Sequence, residues 1–197
     1  MLGGITHLLL NVLVEVYFPD HWAGSPTRLL GMSYAGWSRL LWIPDALLLI
    51  GLAGLYRHLA HGLGKLSRWG YWLAAAGFGL RIAGNLIEFW VFGVFLIPFL
   101  GEFTTGSTGS QLGYSVASIG AMLGILGLLI FGITCLSAAL PTRWRILPLW
   151  VSLSFLSIFY FYFKGQLAIH AVLYGVSWML IGYYLLQDEP QQKGEAL

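Results

Sequence analysis

The sequence predicts an all-α protein, a polytopic bundle of about six transmembrane helices. Of its 197 residues, 58% are hydrophobic and only 9% are charged, whereas a soluble domain is about 45–50% apolar and about 25% charged. Aromatic residues make up 16% of the chain, and Trp and Tyr favour the membrane–water interface because their rings are amphipathic. The chain therefore lacks the charge to cover a water-exposed surface, and its length fits one domain.

Six apolar stretches are close to the length that crosses a bilayer. They cover roughly residues 2–18, 38–59, 70–98, 112–140, 146–163 and 166–186. A spanning helix needs about 20 apolar residues, with a range of about 17–25. The first and fifth stretches are therefore at the short limit, and the third and fourth are long enough to tilt. Helices are favoured over strands because these runs are long and do not alternate.

The segments outside these stretches are short. Residues 19–37 are rich in Pro, Gly and aromatics, which is typical of an interfacial loop or half-helix, and residues 99–111 are predicted to be a flexible Gly/Ser/Thr loop. The polar tail 187–197 is predicted to be disordered. The first 18 residues carry no Lys or Arg, so we expect a retained helix there and not a cleaved signal peptide.

Lys and Arg placement predicts that both termini are cytoplasmic, since cytoplasmic loops carry more of these residues. With six spans, the side of the termini holds Arg57, Lys65, Arg68, Arg143, Arg145 and Lys193. The other side holds Arg28, Arg39 and Lys164. The plasma membrane is the expected location.

A stripe of small residues runs along the fourth stretch. Its members are Gly113, Ala117, Gly120, Gly124 and Gly127. Steps of three and four residues place them on one helix face, and a GxxxG pair lets two helices approach closely. The stripe predicts a flat packing seam, used either by another helix of this chain or by another subunit. The third stretch (Gly77, Gly84) and the sixth (Ala171, Gly175, Gly182) offer partner seams.

Polar residues inside the apolar stretches are the candidate functional residues. A charge near the bilayer centre costs at least about 2.5–3.5 kcal/mol, so such residues tend to be paired and functional. Arg81, Asn85 and Glu88 share one face of the third stretch. Arg81 and Glu88 are about 10 Å apart along the helix axis, so we expect a bridge through Asn85 or a partner from another helix.

Depth along the predicted spans groups these residues with others. The hypothesised polar cluster lies in the outer half of the bundle and comprises Glu15, Asp45, Arg81, Asn85, Glu88 and His170. Three interpretations remain open at this point. In the first, the cluster is a structural ion-pair network that fixes helix register. In the second, it is a site for a ligand or for protons. In the third, the predicted topology is incorrect and some of these residues lie at the membrane interface.

The histidines do not predict a metal or haem site. His58 and His61 have a spacing that can hold a metal, but neighbouring Lys and Arg residues repel cations, so we expect a solvated pair. His7 and His170 could each ligate a haem-type pigment axially, but no motif accompanies them. The sequence therefore assigns no metal and no cofactor.

Other functional classes find no support in the sequence. A net charge of +2 with no Lys/Arg run does not favour nucleic acid binding. The lone Cys135 excludes an internal disulfide, and the chain has no CxxC. HExxH, GxSxG, Walker and dinucleotide-binding motifs are likewise absent. No catalytic residue is assigned.

Three segments resemble small uncharacterised multi-span membrane proteins of bacteria. They are GNLIEFWVFG at 84–93, LPTRWRILPL at 140–149 and HAVLYGVSWMLIGYYL at 170–185. The resemblance implies no activity, but it favours a bacterial plasma membrane.

Three functional hypotheses follow. The leading one is a non-catalytic membrane protein, either an accessory subunit of a larger complex or a binder of a lipophilic small molecule. Its expected partners are the lipid bilayer and other membrane subunits, a second copy of the chain or a lipophilic ligand. The second is a small transporter or proton-coupled carrier with a broken helix at Pro44–Asp45. The third is an intramembrane lipid-modifying enzyme.

Overall fold

The computed structural model describes residues 1–18, 27–96, 108–138 and 140–194. Within these ranges the regular structure is helical, apart from an isolated bridge between Leu29 and Met32. The helices are α1 (Leu2–Tyr17), α2 (Tyr34–Ser38), α3 (Trp42–Leu59), α4 (Lys65–Leu86), α5 (Thr108–Leu136), α6 (Thr142–Phe163) and α7 (Leu167–Gly194). A 3₁₀ turn at Ala60–Gly62 follows α3, and α4 continues as a π-helix over Ile87–Leu96. The prediction of an all-helical chain is confirmed for this part of the molecule.

Among the residues that the structure describes, four helical stretches are long and apolar enough to cross a membrane. They are Tyr34–Gly62, Gln111–Leu136, Thr142–Phe161 and Leu167–Gln187. α1 is apolar, but its 16 residues extend about 24 Å, less than the roughly 30 Å hydrocarbon core. α4, which carries three basic residues, is not one of the four. Six spans and cytoplasmic termini stay predictions.

Four helices, α4 to α7, extend beyond their predicted bounds, and two of them reach into segments expected to lack regular structure. α5 already begins at Thr108, inside the stretch expected to be a loop, while residues 99–107 lie outside the described ranges. α7 continues to Gly194, so most of the tail expected to be disordered is helical. Extending an existing helix carries no new nucleation cost, and the tail's Gln and Glu residues are good helix formers, while Pro190 within the extension adds no backbone hydrogen bond.

Small residues set how closely α4 and α5 approach. The contacts along the seam join Gly70 to Gly127, Gly77 to Gly124 and Gly120, and Gly84 to Ala117 and Gly113. A Cβ added at Gly77 would collide with backbone atoms of Gly124. The order of the contacts makes the two helices antiparallel. The seam predicted on the fourth stretch is thus covered by α4 of the same chain.

A second close seam joins α1 to α7. Gly4 lies against the backbone of Gly175, and Gly182 lies against Met1, so these helices are also antiparallel. Gly3 meets the backbone of α3 at Leu47. α1 therefore sits between α3 and α7, with its first residue beside the second half of α7.

The core combines aliphatic side chains, among them four leucines of α3, with aromatic rings of α4 to α7. Phe78, Phe155 and Tyr174 are fully buried, and Trp178 is 3% exposed. The Phe155 ring stacks on the Tyr174 ring with centroids 4.6 Å apart. This stack lies directly behind the charged residues of α3 and α4.

A smaller cluster closes the end of the bundle away from the termini. Phe18 and Trp37 are buried there. The Arg39 side chain donates from Nε to the carbonyl oxygen of Phe89 at 3.2 Å, and Trp90 Nε1 donates to the carbonyl oxygen of Arg39 at 3.0 Å. These bonds tie the junction of α2 and α3 to the π-helical continuation of α4.

Candidate functional site

A polar cavity of about 370 Å³ lies at this same end of the bundle. The cavity is formed where α1 ends, α3 begins, α4 passes into its π-helix and α5 begins. Five residues of the predicted cluster line it: Glu15, Asp45, Arg81, Asn85 and Glu88. Tyr34, Phe89 and Tyr114 add aromatic surface to its wall. The structure thus brings together charged side chains from three separate helices.

The centre of this group is an ion pair between α3 and α4. Arg81 Nε donates to Asp45 Oδ2 at 3.1 Å, and the two side chains are 19% and 2% exposed. Asp45 lies in the first turn of α3, where the partial positive charge of the helix N-terminus favours a carboxylate. The fold therefore supplies Arg81 with the partner from another helix that the sequence required.

Pro44 does not break a helix in this structure. It lies in the first turn of α3, a position where a missing backbone N–H costs no helical hydrogen bond. The interruption falls earlier, at residues 39–41 between α2 and α3. The broken span that the carrier hypothesis placed at Pro44–Asp45 is thus shifted by several residues.

His170 lies behind the cavity and does not line it. Its Nδ1 is 3.1 Å from both Ser157 Oγ and the carbonyl oxygen of Ser154. Its ring is stacked on the Phe155 ring, with centroids 6.2 Å apart. The guanidinium carbon of Arg81 also lies over the Phe155 ring, 5.3 Å from its centroid. His170 therefore reaches Arg81 only through an intervening ring.

Glu88 lies in the π-helix that continues α4. A π-helix bonds residues five apart, and such turns are frequent at functional sites. The change of winding means that α-helical spacing does not by itself give the position of Glu88 relative to Arg81. Both residues nevertheless line the cavity.

Asn11 lines the cavity but was not among the residues predicted from the sequence. It lines the cavity one helical turn before Glu15, and its Nδ2 donates to the carbonyl oxygen of His7 at 2.9 Å. The i, i+4 spacing of Asn11 and Glu15 places both on one face of α1, and this spacing could have indicated that Asn11 lines the same site. Neutral Asn in an apolar run is a weaker signal than a charge.

One polar atom in the cavity wall is left without a hydrogen bond. Asp45 is 1% exposed, and among the described residues its Oδ1 has no hydrogen-bond partner. A buried acceptor without a donor costs about 1–3 kcal/mol, and more when charged.

An apolar cavity of about 320 Å³ adjoins the polar one between α5 and α6. Four wall residues are common to both cavities: Tyr114, Ser118, Ala121 and Ile158. Met122, Ile125 and Phe159 complete the apolar part. The combined site is therefore charged at one end and apolar at the other.

His58 and His7 each pack against an aromatic ring. The His58 ring packs on Trp144, with centroids 4.6 Å apart, and the His7 ring meets Tyr174 edge-on at 4.9 Å. Within the described ranges, no three His, Cys, Asp or Glu side chains are grouped so that they could hold a metal.

Comparisons of the chain with protein-family models, with curated proteins and with solved structures find no match.

Proposed function

We propose that this chain is an integral membrane protein that binds a lipophilic small molecule and does not transform it chemically. The observation that carries the proposal is the joined pair of cavities, one charged and one apolar, which share four wall residues. Their volumes of about 320 and 370 Å³ fall in the usual range of ligand pockets, about 300–1,000 Å³. An amphiphile fits such a site with its polar group beside Asp45 and Arg81.

The small-residue seam no longer favours the alternative that this chain is an accessory subunit. The small residues that could have packed against another subunit are in contact with α4 of the same chain. The ion pair between Asp45 and Arg81 also serves the structural role considered above, because it joins α3 to α4. That role does not explain why the charged wall opens onto an apolar cavity.

The location and orientation belong to the same proposal. Four apolar helices support a membrane location, and the Lys/Arg distribution supports cytoplasmic termini in a bacterial plasma membrane. The cavity lies at the bundle end away from the termini. In this orientation it faces the outer half of the membrane.

A cavity-filling substitution tests the proposal without removing a charge. Ser118→Phe places a large ring in the wall shared by both cavities, whereas Ile119→Phe places the same ring at a neighbouring position that is 55% exposed. We expect native mass spectrometry of the protein released from detergent to show a bound mass in the wild type and in Ile119→Phe. Ser118→Phe should lose it.

Two results of this experiment would contradict ligand binding. The first is that the wild-type protein carries no additional mass after gentle purification from native membranes. The second is that Ser118→Phe and Ile119→Phe retain the bound mass equally. Circular dichroism of both variants confirms that the helices are intact.

A second candidate, a proton-coupled carrier, is favoured by the three carboxylates that share the cavity with Arg81. Carriers bind substrate and coupling ions at such intramembrane groups. In proteoliposomes that contain a pH-sensitive dye, Glu88→Gln and Arg81→Ala should then abolish proton flux. Unchanged flux in both variants eliminates this candidate.

A further inference from the structure

We propose that the connection between α3 and α4 binds the headgroup of an anionic phospholipid. The proposal concerns the end of the bundle opposite the two cavities and does not rest on the ligand site there. It is carried by a group of exposed basic and aromatic side chains, called here the basic surface. The members of the basic surface are Arg57, His61, Lys65, Arg68, Trp69 and Trp72.

The part of the basic surface on α4 occupies a single helix face. Lys65, Arg68, Trp69 and Trp72 follow one another in steps of three or four residues, which places them on one side of the helix. All four are exposed, and the two indole rings are 73% and 61% exposed. Large aromatic side chains therefore lie beside the cations without packing against the rest of the protein.

The opposite face of the same turns packs into the bundle. Gly70 lies against the backbone of Phe131 in α5. The Tyr71 ring is stacked on the Tyr56 ring of α3, with centroids 4.0 Å apart. Tyr56 immediately precedes Arg57, so this stack also brings the end of α3 beside the first turns of α4. The basic surface consequently points away from the bundle.

The basic surface lies at the depth of the lipid headgroups. The apolar stretch Tyr34–Gly62, long enough to span a membrane, ends within the connection between α3 and α4. Trp69 and Trp72 follow Lys65 by about 6 Å and about 10 Å along the helix axis. Trp favours the boundary between headgroups and hydrocarbon. With the indoles at that boundary, Lys65 and Arg68 reach the level of the phosphates.

The cations of the basic surface are not explained by contacts within the protein. The chain has no Asp or Glu between Ala46 and Ile87. Among the described residues, Arg57, Lys65 and Arg68 form no ion pair. Lys65 and Arg68 also lie in the first turn of α4, where the helix dipole disfavours a positive charge.

The charge of the whole end of the bundle has the same sign. Arg143, Arg145 and Lys193 add three cations to the three of the basic surface, and the acids at this end are Asp188, Glu189 and Glu195. Six cations against three acids leave an excess of positive charge even when every acid is counted. Each Lys or Arg near the membrane surface strengthens binding of an anionic lipid by about fivefold. A zwitterionic headgroup, whose net charge is zero, gains much less.

Native mass spectrometry tests the proposal with two lipids added to the protein in a non-ionic maltoside detergent. Dioleoylphosphatidylglycerol and dioleoylphosphatidylcholine have the same chains and differ in the charge of the headgroup. We expect the wild type to bind the anionic lipid about tenfold more tightly than the zwitterionic one. Lys65→Gln/Arg68→Gln should weaken binding of the anionic lipid by about tenfold, because it removes two exposed cations.

Arg145→Gln/Lys164→Gln is the charge-matched control. It removes two positive charges outside the basic surface, one near the start of α6 and one between α6 and α7, and should bind the anionic lipid as tightly as the wild type. Ser118→Phe, which fills the cavity at the other end of the bundle, should also leave this binding unchanged. If Lys65→Gln/Arg68→Gln does not fold, as judged by gel filtration and circular dichroism, Arg57→Gln takes its place in the comparison.

Four outcomes would overturn the proposal. In the first, the wild type binds both lipids equally. In the second, Lys65→Gln/Arg68→Gln binds the anionic lipid as tightly as the control does. In the third, Ser118→Phe abolishes binding of the anionic lipid, which places that lipid in the cavity and supports the ligand site instead. In the fourth, ammonium phosphate abolishes binding where ammonium acetate of the same ionic strength does not, which assigns the basic surface to a soluble anion.

Discussion

At the scale of single residues, the buried pair of Asp45 and Arg81 connects stability to the proposed site. Arg81 satisfies one oxygen of the Asp45 carboxylate, whose side chain is 2% exposed, and its guanidinium also covers the Phe155 ring. Removing one member of such a pair leaves an uncompensated charge in a poorly solvated place. Removing both members costs much less, because no unpaired charge is then left.

We therefore predict that Arg81→Met lowers the free energy of unfolding by about 3–5 kcal/mol, measured by thermal unfolding in detergent. The double variant Arg81→Met/Asp45→Asn should recover a large part of that loss. Arg68→Met is the control, since Arg68 is an exposed residue of the same helix. A double variant no more stable than Arg81→Met alone would show that the pair is not the reason for the loss.

The depth of a residue along its span could be predicted from the sequence, but its rotation about the helix axis could not. Glu15, Asp45, Arg81, Asn85 and Glu88 could be grouped because helix length gives the depth of a residue along its span. Depth does not give rotation about the helix axis, so His170 was grouped with residues from which Phe155 separates it. Asn11 was missed because a neutral amide in an apolar run carries little signal.

At the scale of elements, the packing of α4 against α5 depends on positions that admit no side chain. The seam could be predicted because small residues recur every three or four positions, which is the helical period. The sequence could not predict the π-helix at Ile87–Leu96 or the extension of α7 to Gly194. Hydrogen-bond register and helix propagation leave no clear trace in the pattern of apolar residues.

Two alanine substitutions in α4 test the seam. Gly77→Ala places a Cβ against the backbone of Gly124, whereas a Cβ at Gly79 meets nothing within 4 Å. Gly77→Ala should lower the thermal unfolding temperature in detergent. Gly79→Ala should leave it unchanged or raise it, because Ala is about 1 kcal/mol better than Gly within a helix. Equal behaviour of the two variants would argue against close packing at Gly77.

At the scale of the whole molecule, antiparallel neighbours place the cavity at the bundle end away from both termini. The side of the membrane that this end faces depends on the prediction from Lys and Arg residues. Arg68 and Lys164 are both exposed and belong to connections at opposite ends of the predicted spans. Labelling at these two positions therefore reports the orientation.

We predict that a membrane-impermeant thiol reagent labels Lys164→Cys in intact cells, in a background in which the lone Cys135 is replaced by Ser. Arg68→Cys should be labelled only after the membrane is permeabilised. The Cys135→Ser parent is the control and should not be labelled. The reverse pattern would place the cavity on the cytoplasmic side, and labelling of both positions in intact cells would contradict the six-span topology.

The most direct measurement of the central claim, that the charged and apolar cavities form one ligand site, is an experimental density map of the protein purified in maltoside detergent. We predict non-protein density that begins beside the pair of Asp45 and Arg81 and continues past Ser118 toward Phe159. A map in which side chains of this chain fill that space, or in which Arg81 points away from Asp45 toward lipid, would contradict it.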